Sequence, residues 1–285
     1  MNQKVVTLNN IKVACENCSL SRLCLPMGLE SSDVERLNEI VHRSKPHHRN
    51  DYLFREGDQL KGIYAVKTGS IKTYISREDG SEQVLGFHLP GEIIGLDAIE
   101  TSIHGCTAKV LETTAVCLIP YDQLEKLSME IPSLQHQMFR LMSREISNES
   151  NMLILLGKRN ADERLATFLL SLSNRYKQRG FSATEFNLSM SRNEIGNYLG
   201  LAVETVSRLF TRFQEEGILH VERKHIELIE IEALKAICDI HNRPTYEKTS
   251  ESLKPNKVRQ NVADLHSQMM HVNESQQVFK HISQV

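Results

Sequence analysis

The chain has 285 residues, 40% hydrophobic and 25% charged, which is ordinary globular composition and enough length for roughly two domains. Its formal net charge is −2, so no global basic field draws it to nucleic acid, and any DNA binding has to come from locally placed side chains. The first twenty residues contain Lys4, Asn9, Asn10, Lys12 and Glu16 where a leader would be apolar, and no run reaches the ~18 apolar residues of a membrane span, so a cytoplasmic protein with no membrane partner is expected.

Residues 1–30 read as a cysteine-bearing arm. "ACENCSLSRLCLP" (14–26) gathers Cys15, Cys18 and Cys24, half of the chain's six cysteines. In a reducing compartment clustered thiols more often bind metal or do redox chemistry than form structural disulfides. The spacing C-x2-C-x5-C supplies three soft ligands, whereas a tetrahedral zinc site or an iron–sulfur cubane wants four. Cys106, Cys117 and Cys238 remain as sources of a fourth. Zinc, an iron–sulfur cluster and a metal-free thiol–disulfide pair all stay open on spacing alone.

A β-rich region over 31–127 follows. It opens with "LESSDVERLNEIVHRSKP" (29–46), a short helix with Ser32 or Asp33 as its cap, an apolar stripe at Val34, Leu37, Ile40 and Val41, and Pro46 as its stop. From about 47 to 128 the period changes to two, in "YLFREGD", "GIYAVKTGSIKTYIS", "EQVLGFHLPGEIIGL" and "AKVLETTAVCLIP". Asp79-Gly80 within "REDGSE" marks a hairpin. Many short strands at close turn spacing imply an antiparallel barrel or jelly roll. In the last run Val116 and Leu118 share one face and Cys117 takes the other, though period alone does not prefer Cys117 to Cys106 as a ligand.

Residues 122–158 read as continuously helical, with a dimerisation helix at 128–159. Gln135, Phe139, Met142, Ile146, Glu149, Leu153 and Leu156 follow alternating steps of four and three, the coiled-coil spacing. A second stripe, Leu134, Met138, Leu141, Met152 and Leu155, lies beside it. A helix apolar on two faces has to be covered twice, by the β-region and by a partner chain.

The region 160–242 reads as a winged helix-turn-helix. It begins with an amphipathic helix over 160–180. "SRNEIGNYLGLAVETVSRLFTRFQEEGIL" (191–219) gives two helices about Gly200, the first with a Ser191–Glu194 capping box. In the second, Val206, Leu209 and Phe213 face inward, and Glu204, Thr205, Ser207, Arg208 and Arg212 face outward. Glu204, Ser207 and Arg208 project together from one face, and their groups can bond base edges. Over 186–225 five Arg and Lys balance five Glu, so binding rests on a few contacts and on the avidity of a dimer. "HVERKHIELIEI" (220–231) alternates like a two-stranded wing. The polar stretch 243–285 reads as a mostly disordered tail with a short helix near 260–272.

Taken together, "CENCSLSRLC", "GFHLPGEIIGLDAI", "LETTAVCLIPY", "NADERLA" and "GNYLGLAVETVSRLFTRFQEEGIL" resemble the Crp/Fnr superfamily of bacterial regulators, specifically its FNR-type oxygen-sensing branch, over about residues 12–240. The resemblance implies an α+β fold: an N-terminal β-roll of the cyclic-nucleotide-binding jelly-roll type, a long dimerisation helix and a C-terminal winged helix-turn-helix. It implies a [4Fe–4S] cluster on Cys15, Cys18, Cys24 and Cys117, with Cys106 and Cys238 outside the ligand set. It implies a homodimer along Phe139, Met142, Ile146, Glu149 and Leu153, in which Glu149 weakens the cluster-free dimer. It also implies base reading by Glu204, Ser207 and Arg208 at an inverted repeat of the TTGAT…ATCAA type, contact with RNA polymerase through surface loops such as "SREDGSE", and a switch to anaerobic gene expression. "SIHGCTAKVLE" (102–112) lacks the arginine with which cyclic-nucleotide-binding relatives clasp phosphate, so no cyclic nucleotide is expected. The chain shows no Cys–His pairing motif, phosphate loop or HExxH, only His104 close to Cys106, so no enzymatic activity is expected.

Overall fold

The computed structural model describes residues 14–238, and the expected tail helix near 260–272 lies outside the described residues. The first helix, α1 (Ser31–Ile40), buries Val34 and Leu37 as its apolar spacing requires. Its cap position is Glu30, not Ser32 or Asp33, and no side chain caps it. The helix also stops before Pro46, because the chain turns at once into a strand.

Eight strands build the roll: β1 (His42–Arg43), β2 (Tyr52–Phe54), β3 (Gly62–Thr68), β4 (Ile71–Ser76), β5 (Glu82–His88), β6 (Ile93–Ile94), β7 (Thr107–Val110) and β8 (Ala115–Pro120). They form two four-stranded sheets in the orders β1-β8-β3-β6 and β2-β7-β4-β5. The β4–β5 hairpin turns at the expected Asp79-Gly80, with Gly80 in the left-handed region at φ 79°. Phe54, Tyr64, Val66, Ile71, Ala108, Val110 and Val116 fill the space between the sheets. On the outer face of the first sheet, Ile63, Ala65 and Ile119 meet Leu37, Leu124, Leu134, Met138 and Leu141. Period-two alternation therefore serves two cores from the same strands.

The helical stretch after the roll is interrupted. α2 (Tyr121–Glu130) ends at an extended Ile131, and α3 (Pro132–Lys158) begins with Pro132 in its first turn, where a missing N–H costs nothing. The expected dimerisation helix over 128–159 therefore starts at Pro132. Its two stripes part as expected: Leu134, Met138 and Leu141 are buried, whereas Phe139, Ile146 and Leu153 are 60%, 64% and 74% exposed.

α4 (Ala161–Gln178) starts with a capping box between Asn160 and Glu163. Then come β9 (Glu185–Asn187), α5 (Arg192–Leu199), α6 (Val203–Glu215), β10 (Leu219–Glu222), β11 (His225–Leu228) and α7 (Ile231–Cys238). The wing has three strands in the order β10-β11-β9, one more than the sequence suggests. The outer face of the second roll sheet, through Tyr74, Val84 and Phe87, joins Leu165, Phe168, Leu169, Ile195 and Leu199 in one core. Polar ties border it. Glu92 takes Arg175 at 2.6 Å and Arg179 at 2.5 Å, and Asn197 accepts the Val84 N–H at 2.6 Å.

Candidate functional site

The cysteine arm is a succession of tight turns: the Cys18 N–H donates to the Cys15 carbonyl, Ser21 to Cys18, Cys24 to Leu20, and Met27 to Cys24. Buried Leu20 and Leu25 pin it to the roll on either side of Cys24. The loop at Gly91 passes so close that a Cβ there would lie 2.9 Å from the Leu23 Cβ, and its φ of 90° also favours glycine.

Cys117 stands on β8 between β1 and β3, paired with Arg43 and Ala65. Its face is the one that carries Ile119, while Val116 and Leu118 face the inter-sheet core. The arm brings Cys15 and Cys24 against the same outer core as Cys117. The thiols feel one another. The Cys24 thiol is pushed up to about 12 by burial, opposed by the Leu25 N–H and reinforced by the charges of Cys117, Cys15 and Cys18. Burial also raises Cys15 and Cys117, against the nearby Arg43 guanidinium. Such thiols stay protonated until a metal displaces their protons. All six cysteines are free thiols, and among the described residues no three His, Cys, Asp or Glu side chains gather closely around a single ion position.

Sequence reasoning missed the neighbours of this site. Arg43 Nη2 donates to the Cys15 sulfur at 3.5 Å and to Asn38 Oδ1 at 2.5 Å, and Asn38 Oδ1 also accepts the Cys15 N–H at 3.1 Å. Gln137 on α3 is buried and donates to the Cys24 carbonyl at 3.5 Å, with its own Oε1 unpartnered. No periodic signal marks these residues, because each is defined by a contact distant in sequence.

Cys106 lies elsewhere, in the core between the sheets. It donates to Asp97 at 3.5 Å, and burial together with the Asp97 charge raises its pKa, which leaves it an inert thiol. His104 also addresses Asp97, at 3.3 Å, and stacks on Phe54 with centroids 3.6 Å apart, so it does not serve Cys106 as a base. Cys238 is buried beside Thr167.

The helix expected to read bases is α6. Gly200 takes φ 63° at the turn, and Ser191 and Glu194 form the expected capping box. Glu194 also binds Lys72 of the roll at 3.1 Å. Val206, Leu209, Phe210 and Phe213 are buried, and Glu204, Ser207 and Arg208 stand exposed on the opposite side. Ser207 donates to the Val203 carbonyl at 2.9 Å, which leaves its oxygen lone pairs outward as acceptors. Arg212 is exposed but committed: it pairs with Asp162 at 2.6 Å and ties α6 to α4.

On α3, Glu149 is exposed along with Phe139, Ile146 and Leu153. Met142 is half-buried and packs against the outer core of the roll. Among the described residues no helix is long and apolar enough to cross a membrane.

Known proteins agree with this architecture. Residues 45–130 match the family described as cyclic nucleotide-binding domain, and residues 163–237 match the Crp-like helix-turn-helix domain. The first match concerns the roll fold and carries no ligand over. The chain is 50% identical over 216 residues to the transcriptional activator protein Anr of Pseudomonas protegens, covering 76% of this chain and 88% of that protein. It is 48% identical over 225 residues to the fumarate and nitrate reduction regulatory protein of Salmonella typhi, covering 79% and 90%. The structure of FixK2 from Bradyrhizobium japonicum superposes with a TM-score of 0.64 at 30% identity, covering 69% of this chain and 97% of that one. The first two relatives are named as a transcriptional activator and a regulatory protein, which bears out the reading of a regulator and not an enzyme. The β-roll, the reading helix and near-half identity to activators over most of their length therefore make one case: the chain belongs to the Crp/Fnr family of DNA-binding transcription regulators, in the group of the Anr and fumarate and nitrate reduction proteins.

Proposed function

We propose that this regulator works in the cytoplasm as a homodimer whose assembly and promoter binding depend on an oxygen-labile [4Fe–4S] cluster held by Cys15, Cys18, Cys24 and Cys117. The observation that carries the reading is the meeting of the arm with Cys117 over the same apolar core that seats α3. The residues suit the group. Four soft sulfurs come from two chain segments, lie within electrostatic reach of one another and have an N–H donor at one of them. When bound, the cluster supplies an oxygen-sensitive bridge between arm and roll.

The chain's own residues do the rest. Gln137 links the Cys24 carbonyl to α3, so the position of the arm bears on that helix. α3 offers Phe139, Ile146 and Leu153 to a second copy, and Glu149 in the same seam meets its symmetry mate. Two carboxylates at contact distance repel by a few kcal/mol at a partly wet surface, so the dimer is tuned to be weak until α3 is well seated. A monomer engages one half-site and loses the avidity of two. In the dimer, Glu204, Ser207 and Arg208 read an inverted repeat of the TTGAT…ATCAA type. Bound there in the absence of oxygen, the protein contacts RNA polymerase, activates genes for anaerobic life and represses some aerobic ones. Cyclic nucleotide plays no part, since the roll's 102–112 stretch offers no guanidinium to a phosphate.

The test uses full-length protein purified without oxygen. A brown protein containing iron and sulfide, dimeric by sedimentation, that bleaches and becomes monomeric in air agrees with the proposal. A colourless zinc protein that stays dimeric in air overturns it.

A further inference from the structure

The two-residue strand β1 carries a cation into the thiol site. Its antiparallel pairing with β8 sets Arg43 directly opposite Cys117, and residues so paired point to the same face of a sheet. From that face the guanidinium reaches the Cys15 sulfur at 3.5 Å and Asn38 Oδ1 at 2.5 Å. Asn38 in turn holds the Cys15 N–H at 3.1 Å, so the arm, α1 and the roll meet at this side chain.

Arg43 differs from the ion-paired arginines of the described chain. Arg36, Arg159, Arg175, Arg179 and Arg212 each pair with a carboxylate. Arg43 is half-buried and, among the described residues, has no carboxylate within ion-pair distance. Its partners are an amide oxygen and a thiol. A partly desolvated cation in that position lacks its anion. Four thiolates outweigh the charge of an iron–sulfur core, so a loaded site is net negative and supplies one.

Building on the cluster reading above, we infer that Arg43 is a positioning residue for the cluster: its N–H to the Cys15 sulfur and its positive charge hold the loaded, anionic site together and lengthen its life in air. Charge and hydrogen bonds around cluster sulfurs are established means by which a protein tunes such groups.

The experiment compares wild-type, Arg43→Lys and Arg43→Gln proteins, each purified without oxygen. Iron and sulfide content, bleaching rate at a fixed oxygen level and thermal unfolding of the cluster-free form are measured. Arg43→Gln keeps a polar side chain but no charge, and its colour should fade roughly ten-fold faster. Arg43→Lys keeps the charge and should fall between Arg43→Gln and the wild type, with the unfolding of all three cluster-free proteins alike. Equal lifetimes in wild type and Arg43→Gln would overturn the assignment. So would equally shortened lifetimes in both variants, which would make the residue a packing element. A wild type that is colourless from the start overturns the cluster reading and this inference with it. A brown wild type with an equally durable Arg43→Gln overturns this inference alone.

Discussion

Cys106 and Cys117 sit in the same roll, and the alternation of a strand separates their roles. Val116 and Leu118 turn inward, so Cys117 turns out toward the arm, whereas Cys106 is enclosed between the sheets and donates to Asp97. Cys117→Ser protein purified without oxygen is therefore expected to be colourless, and Cys106→Ser protein to keep full colour; iron assay and visible absorbance decide it, and the reverse pattern removes Cys117 from the ligand set. His88 gives a second expectation. Burial depresses its imidazole from 6.5 to about 4, and its Nε2 lies 2.9 Å from Thr73 Oγ1. The unfolded chain takes up this proton below about pH 6.5 and the folded one only near 4, so the contribution of His88 to stability is constant above that window and falls as pH drops through it. The loss amounts to roughly 3 kcal/mol over the window. Urea unfolding of the cluster-free protein across that range should show the slope, and His88→Gln should reduce it. The sequence displayed the cysteines and the candidate base-reading residues, because each is a recognisable residue in a recognisable spacing. It did not display Arg43, Asn38 or Gln137, whose roles arise from contacts between distant segments. It also counted Arg212 with the outward residues without revealing that Asp162 already holds it.

At the scale of elements, α3 shows what a periodic pattern conveys. The two stripes were readable, and they part between the roll core and solvent as side-chain spacing demands. Glu149 interrupts the exposed stripe, and its removal should relieve repulsion between the two chains. Glu149→Ala is expected to tighten the dimer of air-exposed protein roughly ten-fold, equivalent to about 1.4 kcal/mol. Sedimentation at low and high salt checks this, since a repulsion between exposed charges fades as salt rises; a variant no tighter than wild type at low salt removes Glu149 from the dimer seam. Very short elements were less legible. β1 is too brief to show alternation, β9 adds a third wing strand from three residues, and the arm is all turns. The break before Pro132 was hidden because the apolar spacing carries on across it.

For the whole molecule, the sequence suggests a roll and a reading head as successive regions, yet the structure gives them a common core through Tyr74, Val84 and Phe87. Glu92 lies at the border and pairs with both Arg175 and Arg179, and the Arg179 side chain is only 3% exposed. Glu92→Gln leaves two crowded guanidinium groups without their anion. The expected cost is roughly 3 kcal/mol. Calorimetry of the cluster-free protein should show the single transition of a shared core in the wild type and a lower or split transition in the variant. An unchanged transition would mean the apolar contacts alone couple the two halves.

Only Arg159 and Asn160 separate α3 from α4, and Arg164 fastens the joint by donating to the carbonyls of Leu156, Arg159 and Leu199. A joint this short carries the geometry of the seam straight into the head. In the proposed dimer the two heads then stand at a separation fixed by residues that never touch DNA. An operator has letters and it has a spacing: on this proposal α6 would recognise the letters, and α3 would measure the spacing. The two can drift independently, so a lineage of such regulators can keep its vocabulary while changing its metre.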